Sequence, residues 1–428
     1  MTLKHNLGKL LVSGGLFIAV NGYSAVDSEV RVETSGRWID NVYFASDEQR
    51  NDVLGTAKLQ LSLNSVDEVT EFDLGYEISH ENYLRDSFGN ENYIQGVGSL
   101  NVNLLPHRLV WISNIQSEIT RRDSIGVDVP TNKDQRNFAQ TGLEYFLLSG
   151  VRDSVSISPS VSVTRFRAAD FNNNNRGLLE LNWRHALSRL TDSGFNCEAE
   201  KVDFTEADGD YDTARCNVAY GRRLSNGSIA ADIGKRWINP AVGDTIDGLA
   251  YTIGVEWEQV KHNFNLYAVR DILDNTDSLG GGGFVGTSSP VEVNTDIRSL
   301  TVRKRVELQY DYLHSRADQI GFRVYQDAED LYESNADTDR VGSAISYRRS
   351  ISPQLLALFR YSFEKIAFAD GTPDEVVDYE DFYLIEMRKE FSRQLEVYWS
   401  LESELRRAKL AERDYEVYSV EMGIAYTF

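Results

Sequence analysis

Residues 418–428 alternate without a break. Tyr418, Val420, Met422, Ile424, Tyr426 and Phe428 occupy one phase, and Ser419, Glu421, Gly423, Ala425 and Thr427 the other. A period of two sends successive side chains to opposite faces of an extended chain, so the segment is a strand with one apolar face and one polar or small face. The segment before it repeats the pattern, with Leu395, Val397, Trp399 and Leu401 set against Gln394, Glu396, Tyr398, Ser400 and Glu402. The same template fits Leu59/Leu61/Leu63, Phe72/Leu74/Tyr76/Ile78, Val155/Ile157/Pro159/Val161/Val163, Leu179/Leu181/Trp183, Leu249/Tyr251/Ile253/Val255/Trp257 and Leu355/Ala357/Phe359/Tyr361/Phe363. A chain that alternates from end to end in this way is all-β.

The connections carry a second regularity, because short and long ones take turns. Tight turns sit near Ser65 to Glu68, Pro106-His107, Ser149 to Asp153, Ser188 to Asp192, Ser225 to Gly227, Gln259 to His262, Ser315 to Gln319, Ser352 to Gln354 and Ser392-Arg393. Between them run longer polar loops, among them Phe44 to Asp52, Arg122 to Gln135, Asp271 to Asn294, Glu333 to Asp339 and Asp370 to Asp378. Short turns on one rim and long loops on the other predict a transmembrane antiparallel up-and-down β-barrel of the bacterial outer membrane. The count comes to about 20 strands, within a range of about 16 to 20, with the register least defined between Arg298 and Tyr332. A soluble sandwich, propeller or β-helix would need a second sheet over the apolar faces or a repeat of fixed period, and the sequence has no such repeat. Trp38, Tyr76, Trp111, Trp183, Trp237, Trp257, Trp399 and Tyr426 lie near strand ends, where aromatic girdles form.

The first residues are an address. Lys4 and Lys9 flank the start of an apolar run, Leu10 to Val20, followed by a polar stretch ending Tyr23-Ser24-Ala25, which reads as a secretory signal peptide over 1–25. Cleavage after Ser24 competes with cleavage after Ala25. Residues 26–428 then form one barrel domain, since no Pro/Ser-rich linker or composition step divides them. Mean hydropathy of -0.39 does not oppose this, because a barrel strand needs apolar residues only at alternate positions. With 44 Lys+Arg against 66 Asp+Glu, the formal charge of -22 repels phosphate backbones, and no basic patch offsets it, so nucleic acid is not a partner.

Outer-membrane barrels of Gram-negative bacteria end in a strand with a terminal aromatic, and Val420, Met422, Ile424, Tyr426 and Phe428 resemble that signal closely. The likeness implies recognition by the barrel-assembly machinery. Arg37-Trp38-Ile39-Asp40-Asn41-Val42-Tyr43 is similar to the first strand of the β-barrel porin type 2 family. The hairpin Val341 to Leu355, with its Ser352-Pro353 turn, resembles that family's repeated rhythm. Members often lie in exopolysaccharide biosynthesis and export systems, so the resemblance implies passage of a solute or an exported polysaccharide.

With apolar positions facing lipid, the alternates face the lumen. That phase carries Glu71, Asp73, Glu77, Glu180, Asp232, Glu256, Glu258, Glu364, Glu386, Glu390, Glu396, Glu402 and Glu421, opposed by Lys58, Arg184, Arg360 and Arg388. Such charges either brace a wet wall across strands or select solutes, an acidic lumen favouring cations and neutral glycans. Ser154 to Thr164 adds a hydroxylated stripe. Cys197 and Cys216 lie on consecutive strands in the apolar phase, where a disulfide and two small lipid-facing thiols are both open readings. The loop Glu206 to Asp212 spaces carboxylates two apart but lacks the glycine position and closing Glu of a calcium loop. Gly281 to Gly286 satisfies G-x-G-x-x-G without a helix to open, so it reads as a flexible loop, folding inward as a constriction. No nucleophile elbow, zinc helix or compact acid–base set is present, and His80, His107, His185, His262 and His314 are scattered. The expectation is therefore a barrel without enzymatic activity, cofactor or metal, in contact with outer-membrane lipid and lipopolysaccharide. The alternative is a plugged accessory barrel whose loops bind surface polysaccharide or a partner.

Overall fold

In the computed structural model, the structure describes residues 26–428 apart from 48, 206–208, 275, 277–299, 333–336 and 369–375. The signal-peptide segment 1–25, the Gly281 to Gly286 motif and part of the Glu206 to Asp212 loop therefore lie outside the described residues. The first ten strands are β1 (Asp27–Ile39), β2 (Asp52–Val66), β3 (Thr70–Tyr83), β4 (Glu91–Leu105), β5 (Leu109–Arg121), β6 (Lys133–Ser149), β7 (Asp153–Phe166), β8 (Asn174–Ala186), β9 (Thr191–Phe204) and β10 (Tyr211–Leu224). The rest are β11 (Gly227–Pro240), β12 (Ile246–Gln259), β13 (His262–Asp274), β14 (Leu300–Leu313), β15 (Asp318–Leu331), β16 (Thr338–Ser352), β17 (Leu355–Phe368), β18 (Val376–Glu390), β19 (Leu395–Arg407) and β20 (Tyr415–Thr427).

All 20 strands belong to one sheet. Each pairs antiparallel with its sequence neighbours, and β1 pairs with β20 from Arg31↔Thr427 to Ile39↔Ser419, which closes the barrel. Closure removes the sheet edges that would otherwise expose unpaired backbone groups. Connections such as 67–69, 225–226 and 353–354 make a short-turn rim, and 40–51, 122–132 and 408–414 make a long-loop rim.

The strands run further into the long loops than alternation indicated. The polarity of the sequence puts Gln135, Asp271, Asp339 and Asp378 in loops, whereas they lie within β6, β13, β16 and β18, and Asn41 to Tyr43 fall in the first long loop instead of the first strand. The ladder continues above the apolar band on polar residues, so the apolar period stops before the hydrogen bonding does.

On β20 the two faces separate cleanly. Ser419 and Ala425 are buried inward, whereas Met422 is 63% exposed and Phe428 70% exposed on the outer face. Two glycines admit rings across the inner wall. A Cβ on Gly423 would lie 2.4 Å from the Tyr398 ring, and one on Gly342 would lie 2.4 Å from the Tyr325 ring. Tyr398 then donates to Glu33 at 2.9 Å and to Glu421 at 3.2 Å across the β1–β20 closure. On the outer face, Cys197 and Cys216 stand directly opposite on β9 and β10, disulfide-bonded, with Cα atoms 4.2 Å apart.

Candidate functional site: the lumen and its mouth

The buried charges of this chain lie inside the barrel toward the long-loop rim. Arg176, Arg236, Arg303, Arg305 and Arg406 are each nearly inaccessible. All are paired: Arg176 with Asp274 at 2.6 Å, Arg236 with Asp271 at 2.8 Å, Arg303 with Asp327 at 2.7 Å, Arg305 with Glu307 at 2.6 Å and Arg406 with Asp378 at 2.8 Å. A buried guanidinium stays charged and is costly without a carboxylate, so these pairs tie the wall: Arg303–Asp327 and Arg406–Asp378 join neighbouring strands, and Arg176–Asp274 and Arg236–Asp271 fasten the end of β13 to β8 and β11.

Among the described residues, two parts of the chain leave the wall and enter this charged zone. The β4–β5 ladder ends at Gly96↔Ser117 and the β6–β7 ladder at Arg136↔Phe166, while β5 and β6 stay paired to Arg121↔Lys133. The tip of this hairpin and its loop 122–132 therefore reach across the mouth. The Ser124 carbonyl accepts from Arg340 on β16 at 3.1 Å, and the Ile125 carbonyl accepts from Arg406 on β19 at 2.7 Å and from Arg413 at 3.0 Å. The Ile125 side chain packs on Ile366, Phe368 and Val376, and Val127 packs on the cluster of Ile39, Val42, Tyr83, Tyr415 and Val417. In the facing 408–414 connection, burial pushes the Arg413 guanidinium below its ordinary value, as does the charge of Arg406, with Asp378, Asp123 and Glu380 acting the other way.

The second insertion is the β13–β14 tip. Its ladder to β12 stops at Tyr251↔Arg270, but β13 and β14 remain paired to Asp274↔Leu300. Above that point Asp274 meets Arg176 on β8 and accepts from Tyr211 on β10. Thr276 Oγ1 accepts from Asn174 at 2.7 Å and from Arg176 at 2.9 Å, and its carbonyl accepts from Arg136 on β6 at 2.9 Å. At the opposite rim the inner wall is hollow, with a cavity of about 850 Å³ bordered by Glu258, Asn263, Asp311 and Gln319.

Of the residues singled out in the sequence, the inward phase holds Glu180 on β8, Asp232 on β11, Glu256 and Glu258 on β12, Arg360 on β17, Glu386 and Arg388 on β18, and Glu396 and Glu402 on β19. The fold gathers some of them. Arg388 contacts Glu386 at 3.2 Å and Glu396 at 3.1 Å, and Glu396 also meets Arg31 at 2.8 Å. Arg37 ties Glu402 at 3.3 Å to Glu421 at 2.7 Å. The others stay apart: Asn196 donates to Glu180 at 2.6 Å, Arg215 pairs with Asp232 at 3.0 Å and Ser228 donates to Glu256 at 3.1 Å. Glu258 and Arg360 are exposed to the lumen. Val420, Met422, Ile424 and Tyr426 face outward, and the Phe428 amide donates to Val30 at 2.8 Å.

The arginines of the mouth were missed. They sit toward the long-loop ends of their strands, near polar outward residues such as Asn175, Lys304 and Arg407, so alternation marks their face weakly. Arg303 and Arg305 on the phase of Glu307 are a signal that could have exposed them. Among the described residues no group of three or more His, Cys, Asp or Glu side chains is placed to hold a metal ion.

No family model and no curated protein sequence matches the chain. Solved structures similar in fold include the FrpB iron transporter of Neisseria meningitidis, at 9% identity and TM-score 0.47, covering 94% of this chain and 83% of that one. OccK1 (OpdK) of Pseudomonas aeruginosa is similar at 9% identity and TM-score 0.43 over 94% and 98% of the two chains. A loop-deletion mutant of OmpT, an outer membrane protein of Vibrio cholerae, shares 11% identity at TM-score 0.39 over 95% and 100%. At this distance the barrel rests on the chain's own ladder of 20 strands closed between β1 and β20.

Proposed function

We propose that this chain is a porin-type barrel of the Gram-negative outer membrane that passes small polar solutes passively, without catalysis and without a cofactor. The observation that carries the reading is the division of the wall, with exposed Leu, Val, Ile, Phe and Trp side chains outside and charged, hydrogen-bonded side chains inside. An apolar outer band suits lipid, and a polar interior suits water-borne cargo. Residues 1–25 serve export, 26–428 form the barrel, and the Val420 to Phe428 strand is the segment the assembly machinery reads.

The carboxylates at the short-turn rim, Glu258 with Asp311 nearby against Lys261 on the border of the same cavity, favour cations and neutral sugars over anions. Passage of an exopolysaccharide, and service to its export system, is the finer reading and rests on the sequence resemblance. Lipopolysaccharide and outer-membrane lipid are the partners of the outer wall. A second reading, a plugged accessory barrel, is favoured by the two inserted segments at the mouth. Single-channel recording of the refolded mature protein in a planar bilayer separates the two. Cation-selective steps are expected, and a silent bilayer, from protein that still migrates as a heat-modifiable barrel, would establish the plugged form.

A further inference from the structure

The geometry points to loop 122–132 as a reversible gate that latches on the far wall of the mouth, an inference that rests on the passage reading above. Three observations support a docking of two preformed bodies, as distinct from a permanent plug.

The first is that the loop is braced by itself. Asn132 Nδ2 donates to the carbonyls of Asp123 at 2.9 Å and Val127 at 3.0 Å, and Asn132 Oδ1 accepts from the Asp123 amide at 2.8 Å. Asp123 in turn accepts from the Ile125 amide at 2.9 Å. The loop can therefore move as a unit.

The second is that its receptor is assembled without it. Arg406 is already held by Asp378 and by Glu380 at 3.2 Å, and Arg413 reaches the same Asp378 at 3.4 Å. When the loop leaves, Arg406 and Arg413 keep Asp378, so neither arginine that holds the Ile125 carbonyl becomes an unpaired buried charge, the event that would make undocking prohibitive, and Arg340 gives up its bond to the Ser124 carbonyl. The contacts of the latch include the backbone carbonyls of Ser124 and Ile125, which water can satisfy, and the side chains of Ile125 and Val127. Carbonyls that water can satisfy and a few apolar side chains leave the docked state exchangeable with a free one, and ligand or membrane conditions would then shift the balance.

The third is that the base is fixed. The Gln135 side chain bonds both backbone groups of Ile94, at 2.9 Å and 2.7 Å, where β5 has left β4, and Asp134 accepts from the amides of Ala168 and Ala169 at 2.8 Å. Movement is thereby confined to the loop above Lys133.

The test uses the full mature chain with Ser124→Cys as reporter, because Ser124 is buried under the latch and both native cysteines are bonded. A water-soluble maleimide should modify this thiol at least about tenfold more slowly than an exposed Ser188→Cys control. Adding Ile125→Ser, a loop substitution that leaves the barrel wall intact, should recover most of that difference, and Arg413→Gln should recover part of it. Open time in the planar bilayer should lengthen in the same order. The gate is overturned if the reporter reacts as fast as the control from the start, or if neither substitution accelerates it. Accelerated labelling in a bilayer that stays silent for every variant upholds the moving loop and removes the passage reading. Conduction with unchanged labelling does the reverse.

Discussion

Arg136 on β6 donates to the backbone carbonyl of Thr276 at 2.9 Å while its other terminal nitrogen pairs with Glu118 on β5. One side chain thus joins the two segments that enter the mouth, although β6 and β13 lie on different sides of the lumen. In Arg136→Ala the Thr276 carbonyl loses its donor and Glu118 its cation, a loss of about 1–3 kcal/mol. The temperature at which the folded form converts to the slower-migrating form on a gel should fall, and the conductance of an open channel should rise. No change in either would show that this tie does not hold the mouth.

The disulfide makes a contrasting prediction. Cys197 and Cys216 are 19 residues apart in sequence, and opening a loop of that size costs about 3 kcal/mol in the chain-entropy account. Because the bond lies on the outward face, a Cys197→Ser, Cys216→Ser chain should convert at a lower temperature yet conduct like the parent. A change in conductance would contradict the outward placement.

At the closure, Gly423 and Tyr398 act as one unit. Gly423→Ala inserts a methyl into the space of the ring and should cost about 1–3 kcal/mol by overpacking. Tyr398→Ala removes the hydroxyl shared between Glu33 and Glu421 and opens that space. The double variant should therefore be less destabilised than the two single effects combined, measured by denaturant titration of tryptophan fluorescence. Strict additivity would dissolve the pairing.

The strand count and face of the barrel were legible because lipid demands an apolar residue at every second position, as Val420, Met422, Ile424 and Tyr426 show. That demand ends with the apolar band. Asp378 could not be read as a buried strand residue, since its burial depends on Arg406 a strand away and on Ile125 from across the lumen. The sequence shows few lumen cations for the same reason: Arg176, Arg236 and Arg303 look like loop-proximal surface residues until the register brings Asp274, Asp271 and Asp327 to them. The Cys197–Cys216 pairing was open in the sequence because the β9–β10 register was undefined, and the ladder places the two residues opposite one another.

Placement of the wall in a bilayer can be tested one residue at a time. Val218 on β10 points outward and is 63% exposed, and Thr252 on β12 points into the lumen beside Asp232. Val218→Arg should destabilise the barrel in lipid by about 2–4 kcal/mol if it lies near the midplane, whereas Thr252→Arg should be tolerated. Equal tolerance in bilayer refolding titrations would mean that this face does not meet lipid.

Selectivity should follow the carboxylates that lack a neighbouring cation. Glu256 has a serine donor and Glu258 is exposed at the hollow rim, so their charge projects into the lumen. Glu386, by contrast, sits 3.2 Å from Arg388, and its field is largely cancelled there. In a salt gradient across a planar bilayer, Glu256→Gln with Glu258→Gln should lower the cation-to-anion permeability ratio about twofold, and Glu386→Gln should lower it less. The difference should fade as salt is raised and the screening length drops to about 3 Å at 1 M. Equal shifts from both substitutions would mean that lumen charge acts as a bulk sum, and that the rim of β12 has no special hold on the ions that pass.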